Sequence, residues 1–214
     1  MQNSVQNAAN IGGNAFALFL KSQRKWDNPP LSAESKTQFS AAAASHGYDV
    51  GKHVVPHGSY LVNLAQPDAG KAVQAYSAFV DDLKRCASLG IRLYNFHPGS
   101  TLGGDRGAAI ARIAAQLNRA HADAGTGDVV TLLENMAGGG NALGSSFEDL
   151  RDIIALIEDK GRVGVCIDTC HAFAAGYDLR TPEAFEKTFA KFDKIVGSKY
   201  LKAFHRRFSP LYFV

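Results

Sequence analysis

Short runs of consecutive apolar residues recur along the chain, each closed by a polar residue and followed by a longer stretch with apolar positions three and four apart. Six stand out: residues 15–20 (AFALFL), ending just before Lys21, then 53–57 (HVVPH), 91–97 (IRLYNFH), 129–134 (VVTLLE), 163–168 (VGVCID) and 199–205 (KYLKAFH). Runs that do not alternate fit strands buried on both faces, as in a parallel sheet. The stretches between them carry helix starts and stops. Ser146 stands three residues before Asp149 as a capping pair, Leu150, Ile153, Ile154 and Ile157 share one face, and Gly161 predicts the stop. Thr181 caps the next helix with Pro182 in its first turn; Phe185, Phe189, Phe192 and Val196 recur at helical spacing as a core stripe, and Gly197 ends it. Residues 71–89 and 107–124 read as helices, another begins near Gln2, and the glycines at 138–140 read as a loop.

Strands alternating with helices predict an α/β fold with a parallel sheet. The strand-end residues His57, His97, Glu134, Asp168 and His205 are spaced by 40, 37, 34 and 37 residues, a mean of 37. A (β/α)8 barrel of about 250 residues has roughly 31 per unit, so 37 is a barrel unit with generous loops. The 214 residues hold about 5.8 such units, which predicts a TIM (β/α)8-type barrel that is incomplete.

Composition changes this picture little. A hydrophobic share of 46% in 214 residues supports one substantial core and excludes disorder and disulfide scaffolds. A net charge of +3 permits contact with a polyanion without arguing for one. Three cysteines, Cys86, Cys166 and Cys170, suit a reducing compartment, and no secretion signal or run of membrane-spanning length is visible, so the expectation is an intracellular protein with no membrane partner.

The chemistry lies in the strand ends. His57, His97, Glu134, Asp168 and His205, with His171 one helical step beyond Asp168, are all metal-ligand types. At the C-terminal mouth of a barrel they would converge on Zn²⁺ or a similar divalent ion, bound through nitrogen and oxygen at about 2.0–2.2 Å. Any one of these histidines alone would read as a hydrogen-bonded structural residue; five ligand types at successive strand ends read as a site. Glu134, central in the order, is the bridging candidate for two ions, an arrangement suited to phosphoryl displacement. Cys166 and Cys170 flank Asp168, and strand alternation would put all three on one face, but without a second cysteine pair they read as reduced thiols. His46, His53 and His121 read as structural or solvated.

Residues 57–61 (HGSYL), 95–100 (NFHPGS), Glu134-Asn135 and 163–180 (VGVCIDTCHAFAAGYDLR) closely resemble the endonuclease IV family of zinc-dependent apurinic/apyrimidinic endonucleases, over nearly all of residues 10–205. Residues 21–26 (KSQRKW) are similar to the form in fungal members. The resemblance implies a TIM barrel that cleaves DNA 5′ to an abasic site by multi-zinc hydrolysis and leaves a 3′-hydroxyl. It implies His57, His97 and Glu134 as ligands of one zinc, Glu134 as the catalytic bridge to a second held also by Asp168 and His205, and His171 as a ligand of a third. Arg24, Tyr60 and Leu61 match residues that enter duplex DNA at the lesion, where unstacking costs least because a base is already missing. Read without the resemblance, Tyr60 and Leu61 would be buried beneath a loop. The implied partner is double-stranded DNA with abasic sites, in the nucleus or mitochondrion of a eukaryote.

The family's pattern continues beyond the histidine matching His205 with an Asp-x-His pair and a late Glu, whereas residues 206–214 (RRFSPLYFV) differ, and its first strand should precede the helix near Gln2, so the resemblance implies a barrel lacking its first and last strands. The expectation is therefore a barrel domain over 1–205 and a divergent tail over 206–214, with one zinc site complete, the second partial and the third largely lost. Open barrel edges near 15–20 and 199–205 would invite aggregation or a capping partner. Two alternatives remain at this stage: a catalytically inactive lesion-binding fragment, and a metal-dependent sugar isomerase of the same barrel class.

Overall fold

A computed structural model describes residues 1–206; the tail expected at 206–214 thus lies outside the described residues except for Arg206. Six strands form, β1 (Phe16–Leu18), β2 (Val54–Pro56), β3 (Leu93–Phe96), β4 (Val130–Glu134), β5 (Val163–Asp168) and β6 (Leu201–His205). They fall within the six apolar runs. Eight helices separate or precede them: α1 (Gln2–Asn10), α2 (Ala33–Ser45), α3 (Val50–His53), α4 (Ala69–Leu89), α5 (Arg106–Ala122), α6 (Phe147–Ala155), α7 (Thr169–Ala174) and α8 (Pro182–Ile195). β1 pairs with β2, and β3, β4, β5 and β6 pair in that order, all parallel. A bridge between His57 and Asn95 continues the sheet from β2 to β3. The six strands thus follow one another in chain order as an arc of a TIM barrel, each crossover carrying helix, as parallel pairing requires. Among the described residues, β1 and β6 each have one strand neighbour, and a cleft of about 610 Å³ lies between them.

The core sits between the arc and its outer helices, where Phe79 and Leu83 of α4, Ile113 and Leu117 of α5 and Leu150 and Ile153 of α6 are all fully buried. Burying each such side chain contributes roughly 1.5–3 kcal/mol, and these rows, recurring three and four apart, fix which helix face turns inward. The starts of four helices are set by side-chain caps: Asp68, Asp105, Ser146 and Thr181 accept from the amides of Lys71, Ala108, Asp149 and Ala184. Inside the barrel, Gly164 of β5 makes room for its neighbours, since a Cβ there would lie 2.9 Å from Leu132 Cδ2 and 2.6 Å from Lys202 Cγ.

One register detail positions the site. Val165 pairs with Leu201 but Cys166 with Ala203, so Lys202 is an extra residue bulged out of β6. A single-residue shift in a strand exchanges its two faces. The bulge therefore sets His205, not Phe204, beside Asp168 and leaves Phe204 48% exposed on the other side.

Two local expectations are corrected. The helix begun at Ser146 does not run to Gly161; it ends at Ala155, where the Leu156 and Ile157 amides switch to carbonyls three residues back and Lys160 Nζ reaches the carbonyls of Ile154, Ala155 and Ile157. Gly161 lies instead in a 3₁₀ turn capped by Asp159. The phenylalanine stripe of α8 is core only at its inner end: Phe192 and Val196 are buried, whereas Phe185 is 45% exposed and stacks on Phe189 at 4.4 Å, because α8 packs on one side only.

His121 of α5 sits behind β4 with Nε2 3.0 Å from Thr131 Oγ1. Burial first, and then the charge of Arg162, push its pKa from 6.5 down to about 4. The unfolded ring binds a proton below about 6.5 and the native one only below about 4, so this residue's stability contribution is complete above pH 6.5 and is lost as pH falls towards 4, by on the order of 1–3 kcal/mol. The His121→Gln variant, which keeps a partner for Thr131, is expected to lose less stability than the parent between pH 7 and pH 4.5. Urea unfolding midpoints at the two pH values measure this; equal losses would remove His121 as a cause of acid sensitivity.

Candidate metal centre and its rim

Glu134 ends β4 at the barrel mouth with its carboxylate fully buried. Four histidines face it. His57, following β2, has Nε2 3.0 Å from Oε2; His97, following β3, has Nε2 3.7 Å from Oε1; His171 of α7 and His205 of β6 each bring Nδ1 to 3.4 Å from Oε1. Asp168 closes the group with Oδ2 3.5 Å from His205 Nδ1 and 3.9 Å from His171 Nδ1. All six residues expected from the sequence therefore meet at one mouth. By distance five of them form two groups that share the carboxylate, His57–Glu134–His205 and His97–Glu134–His171, each with its ligand atoms within 4.8 Å of one another. This grouping cuts across the expected division, in which His57 and His97 share an ion.

Burial alone would raise the carboxyl pKa of Glu134, but the imidazoles of His171, His205, His57 and His97 outweigh it and hold the pKa far below the usual carboxylate range. His171 is raised in return, chiefly by Glu134. The fit to a cation is visible in the ring nitrogens. His57 Nδ1 lies 2.7 Å from the Gly58 carbonyl and donates to it, which leaves Nε2 with its lone pair directed at an anionic oxygen. The Nε2 atoms of His57 and His97 are buried with no hydrogen-bond partner. At His57 a lone pair faces a carboxylate oxygen across 3.0 Å, which calls for a cation held by both, and N/O donors of this kind suit zinc and its neighbours.

Two residues that the apolar pattern does not single out complete the centre. Asn95 Nδ2 donates to Glu134 Oε2 from β3. Asn135 accepts from the Asp168 amide through Oδ1 at 2.6 Å and donates to the Asp168 carbonyl through Nδ2 at 3.3 Å, while its own carbonyl accepts from His171 Nδ1 at 2.9 Å. Both stand beside strand-end ligand types in sequence, and that adjacency is the signal that could have marked them. Asp168 has a second task, since Oδ1 caps α7 by accepting from the His171 amide at 2.8 Å. That turn also corrects the expected strand alternation: β5 ends at Asp168, so Cys170 lies on α7 and does not share the strand face of Cys166. Burial, then the charges of Glu134 and Asp168, push the Cys166 thiol far up, which favours the reduced, protonated thiol expected from the sequence. His46 bonds Gln6 and His53 Nδ1 accepts from the Asp49 amide, in agreement with structural or solvated roles.

The rim carries the remaining candidates. Tyr60 is 53% exposed, with its ring 5.2 Å from that of His57 and 5.4 Å from that of His97, and Leu61 is 38% exposed. The burial expected of these two without the resemblance is thus overturned, because the loop carries them outward over the metal-ligand rings. Arg24 is exposed on the neighbouring loop, which Ser59 Oγ joins by donating to the Gln23 carbonyl at 2.9 Å.

A family model described as a xylose isomerase-like TIM barrel matches residues 5–207. Apurinic-apyrimidinic endonuclease 1 of Saccharomyces cerevisiae is 51% identical over 205 residues, covering 96% of this chain and 55% of that protein. The protein of the same name from Plasmodium berghei is 52% identical over 206 residues, covering 96% and 40%. The chain therefore spans about half the length of the curated relatives it matches. Among solved structures, endonuclease IV from Thermus thermophilus superposes with a TM-score of 0.77 at 33% identity, over 95% of this chain and 70% of that one. A D-tagatose 3-epimerase-like protein reaches 0.74 at 17% identity over 96% and 71%, a likeness of fold alone.

Removing the Asn135 side chain is expected to loosen Asp168 and His171 and lower affinity for a divalent cation by about 10–100-fold. Competition of the Asn135→Ala variant against a chromophoric chelator measures it, and unchanged affinity would show that Asn135 does not hold these two ligands.

Proposed function

Because the chain belongs to the endonuclease IV family of xylose isomerase-like TIM barrels, we propose that it acts in DNA repair, hydrolysing the phosphodiester bond 5′ to an abasic site with zinc at the Glu134 centre. The observation that carries the reading is the exposed Tyr60 ring standing within 5.4 Å of both the His57 and His97 rings. A side chain able to replace a missing base is thereby adjacent to the residues able to bind metal. The curated relatives, named as apurinic-apyrimidinic endonucleases, add to this reading.

His57, His97 and Glu134 would hold one ion, Glu134, Asp168 and His205 a second, and His171 would contribute to a third. Zinc so bound supplies a Lewis acid and a water acidic enough to ionise near neutral pH. The chain's own residues do the rest. Glu134, kept ionised among the imidazoles, would need no base to deprotonate it before binding a cation. Asn95 and Asn135 fix the carboxylate and the Asp168–His171 turn, so the ligands need not reorganise when substrate arrives. Tyr60 and Leu61 enter the stack where a base is absent, a site at which unstacking costs least. The Arg24 guanidinium, exposed on the neighbouring loop, meets the DNA at the same lesion. No helix among the described residues is long and apolar enough to cross a membrane. In a eukaryote, that substrate would give the protein a nuclear or mitochondrial address.

The expected result is a zinc-dependent single nick in a duplex with one abasic site, on its 5′ side, leaving a 3′-hydroxyl, with no turnover of aldoses. The Glu134→Gln variant is expected to lose about 1,000-fold or more in nicking rate while still retaining the duplex. Binding without incision by the zinc-loaded parent would overturn hydrolysis in favour of lesion binding, and aldose turnover would overturn the DNA reading itself.

A further inference from the structure

Five strand ends carry metal-ligand types; the remaining one, after β1, carries Lys21, which the metal centre does not use. Its side chain is 7% exposed, and its ammonium donates to the Ala78 carbonyl at 2.7 Å and to Asp81 Oδ2 at 2.7 Å, and lies 3.2 Å from Asp82 Oδ1. All three partners are on α4. One turn on, Arg85, also buried, gives Nε to Asp81 Oδ2 at 2.9 Å and Nη2 to the Pro29 carbonyl at 2.6 Å. Two successive turns of α4 thus grip both ends of the loop between Lys21 and Pro29, which carries Arg24. Within that loop Asn28 Oδ1 accepts from the Ser22 amide and Nδ2 donates to the Lys25 carbonyl, closing it into a compact turn.

The same stretch of α4 reaches the second rim loop. The other oxygen of Asp82 accepts from the fully buried Tyr94 hydroxyl at 2.8 Å. That hydroxyl lies directly under Gly58, where an added Cβ would be 2.8 Å from it. Gly58 begins the turn carrying Ser59, Tyr60 and Leu61, and its carbonyl accepts from His57 Nδ1. Ser59 Oγ then ties this loop back to Gln23.

We infer that the Lys21–Asp81–Asp82–Arg85 cluster with Tyr94, buried except for the half-exposed Asp81, is a positioning device that holds the Arg24 loop and the Tyr60–Leu61 loop in one fixed relation above the metal centre. It rests on the proposed function for its DNA consequence, though not for its mechanical one. Two carboxylates and two cations balance within it, and a balanced, hydrogen-bonded buried cluster contributes geometric specificity more readily than net stability. Lys21, Asp82 and Arg85 are positioning residues: none stands at the rim, and each acts through a loop. A 1 Å error in such loops can cost about 100-fold in a productive complex, which gives the cluster a functional reason to be buried and rigid.

The test uses the full chain loaded with zinc, in three forms: parent, Lys21→Met, and the double variant Lys21→Met/Asp82→Asn. The double variant leaves no uncompensated carboxylate at position 82 and still accepts from the Tyr94 hydroxyl, so it guards against simple unfolding of the single one. Amide hydrogen exchange is expected to quicken by about tenfold or more in both segments 22–28 and 58–62, while β3, β4 and β5 keep their protection. Preference for a duplex containing a tetrahydrofuran abasic analogue over the same duplex intact is expected to fall by about tenfold or more, with intact-duplex affinity little changed. Unchanged exchange at 58–62 in the double variant would overturn the device, as would a full preference retained despite loosened loops. If the parent shows no preference for the abasic analogue, the proposed function fails, and exchange alone then decides this inference.

Discussion

The structure is organised around one buried negative charge. The Glu134 carboxylate has no solvent exposure, and an isolated carboxylate in such a place would be far too costly to leave ionised. Here it is surrounded by His57, His97, His171 and His205 and receives the Asn95 amide, so the ionised form is the favoured one. Each of the four histidines comes from a different strand end or from the turn that follows one. Their convergence depends on the arc of parallel strands ending at a common level, and the requirement to compensate Glu134 makes that level matter.

Two features of the backbone deliver the convergence. The bulge at Lys202 selects the face of β6 and sends His205 inward beside Asp168. The cap of α7 by Asp168 then turns the chain within three residues so that His171 comes back over Glu134. Asn135 fastens that turn from the neighbouring strand by three hydrogen bonds. None of these contributes much buried apolar area. They decide where ligand atoms point, while the packing of Phe79, Leu83, Ile113 and Leu150 behind the sheet supplies the stability on which such positioning rests.

The rim is built on different terms. Tyr60, Leu61 and Arg24 are exposed, which costs little for Arg24 but leaves apolar surface in water at Tyr60 and Leu61. That surface is held in place from beneath by ionic and hydrogen-bonded contacts to α4 and by Gly58, whose missing side chain lets Tyr94 approach. A groove built in this way presents its side chains ready for contact, with little of the ordering cost falling at the moment of binding.

Periodicity in the sequence determined the strands, the α/β class and five of the six metal-ligand candidates, because a strand buried on both faces must be apolar throughout and the polar residue that ends it is conspicuous; His171 was marked by its helical step beyond Asp168. Helix starts were legible at the caps Ser146 and Thr181, whereas α2 and α3, capped by Ser32 and Asp49, carry no apolar stripe strong enough to announce them. The end of α6 was not, since it is set by Lys160 reaching back to three carbonyls, a contact that spacing does not encode. The pairing of ligands into groups around Glu134, the inward turn of His205 and the exposure of Tyr60 likewise depend on register, a bulge and the path of a loop. The cluster joining Lys21 to Asp82 and Tyr94 spans about 60–70 positions of chain and is assembled by helix packing. Sequence thus named the chemical groups; only tertiary structure could decide which of them face one another, because burial and orientation are properties of neighbours brought together by the fold.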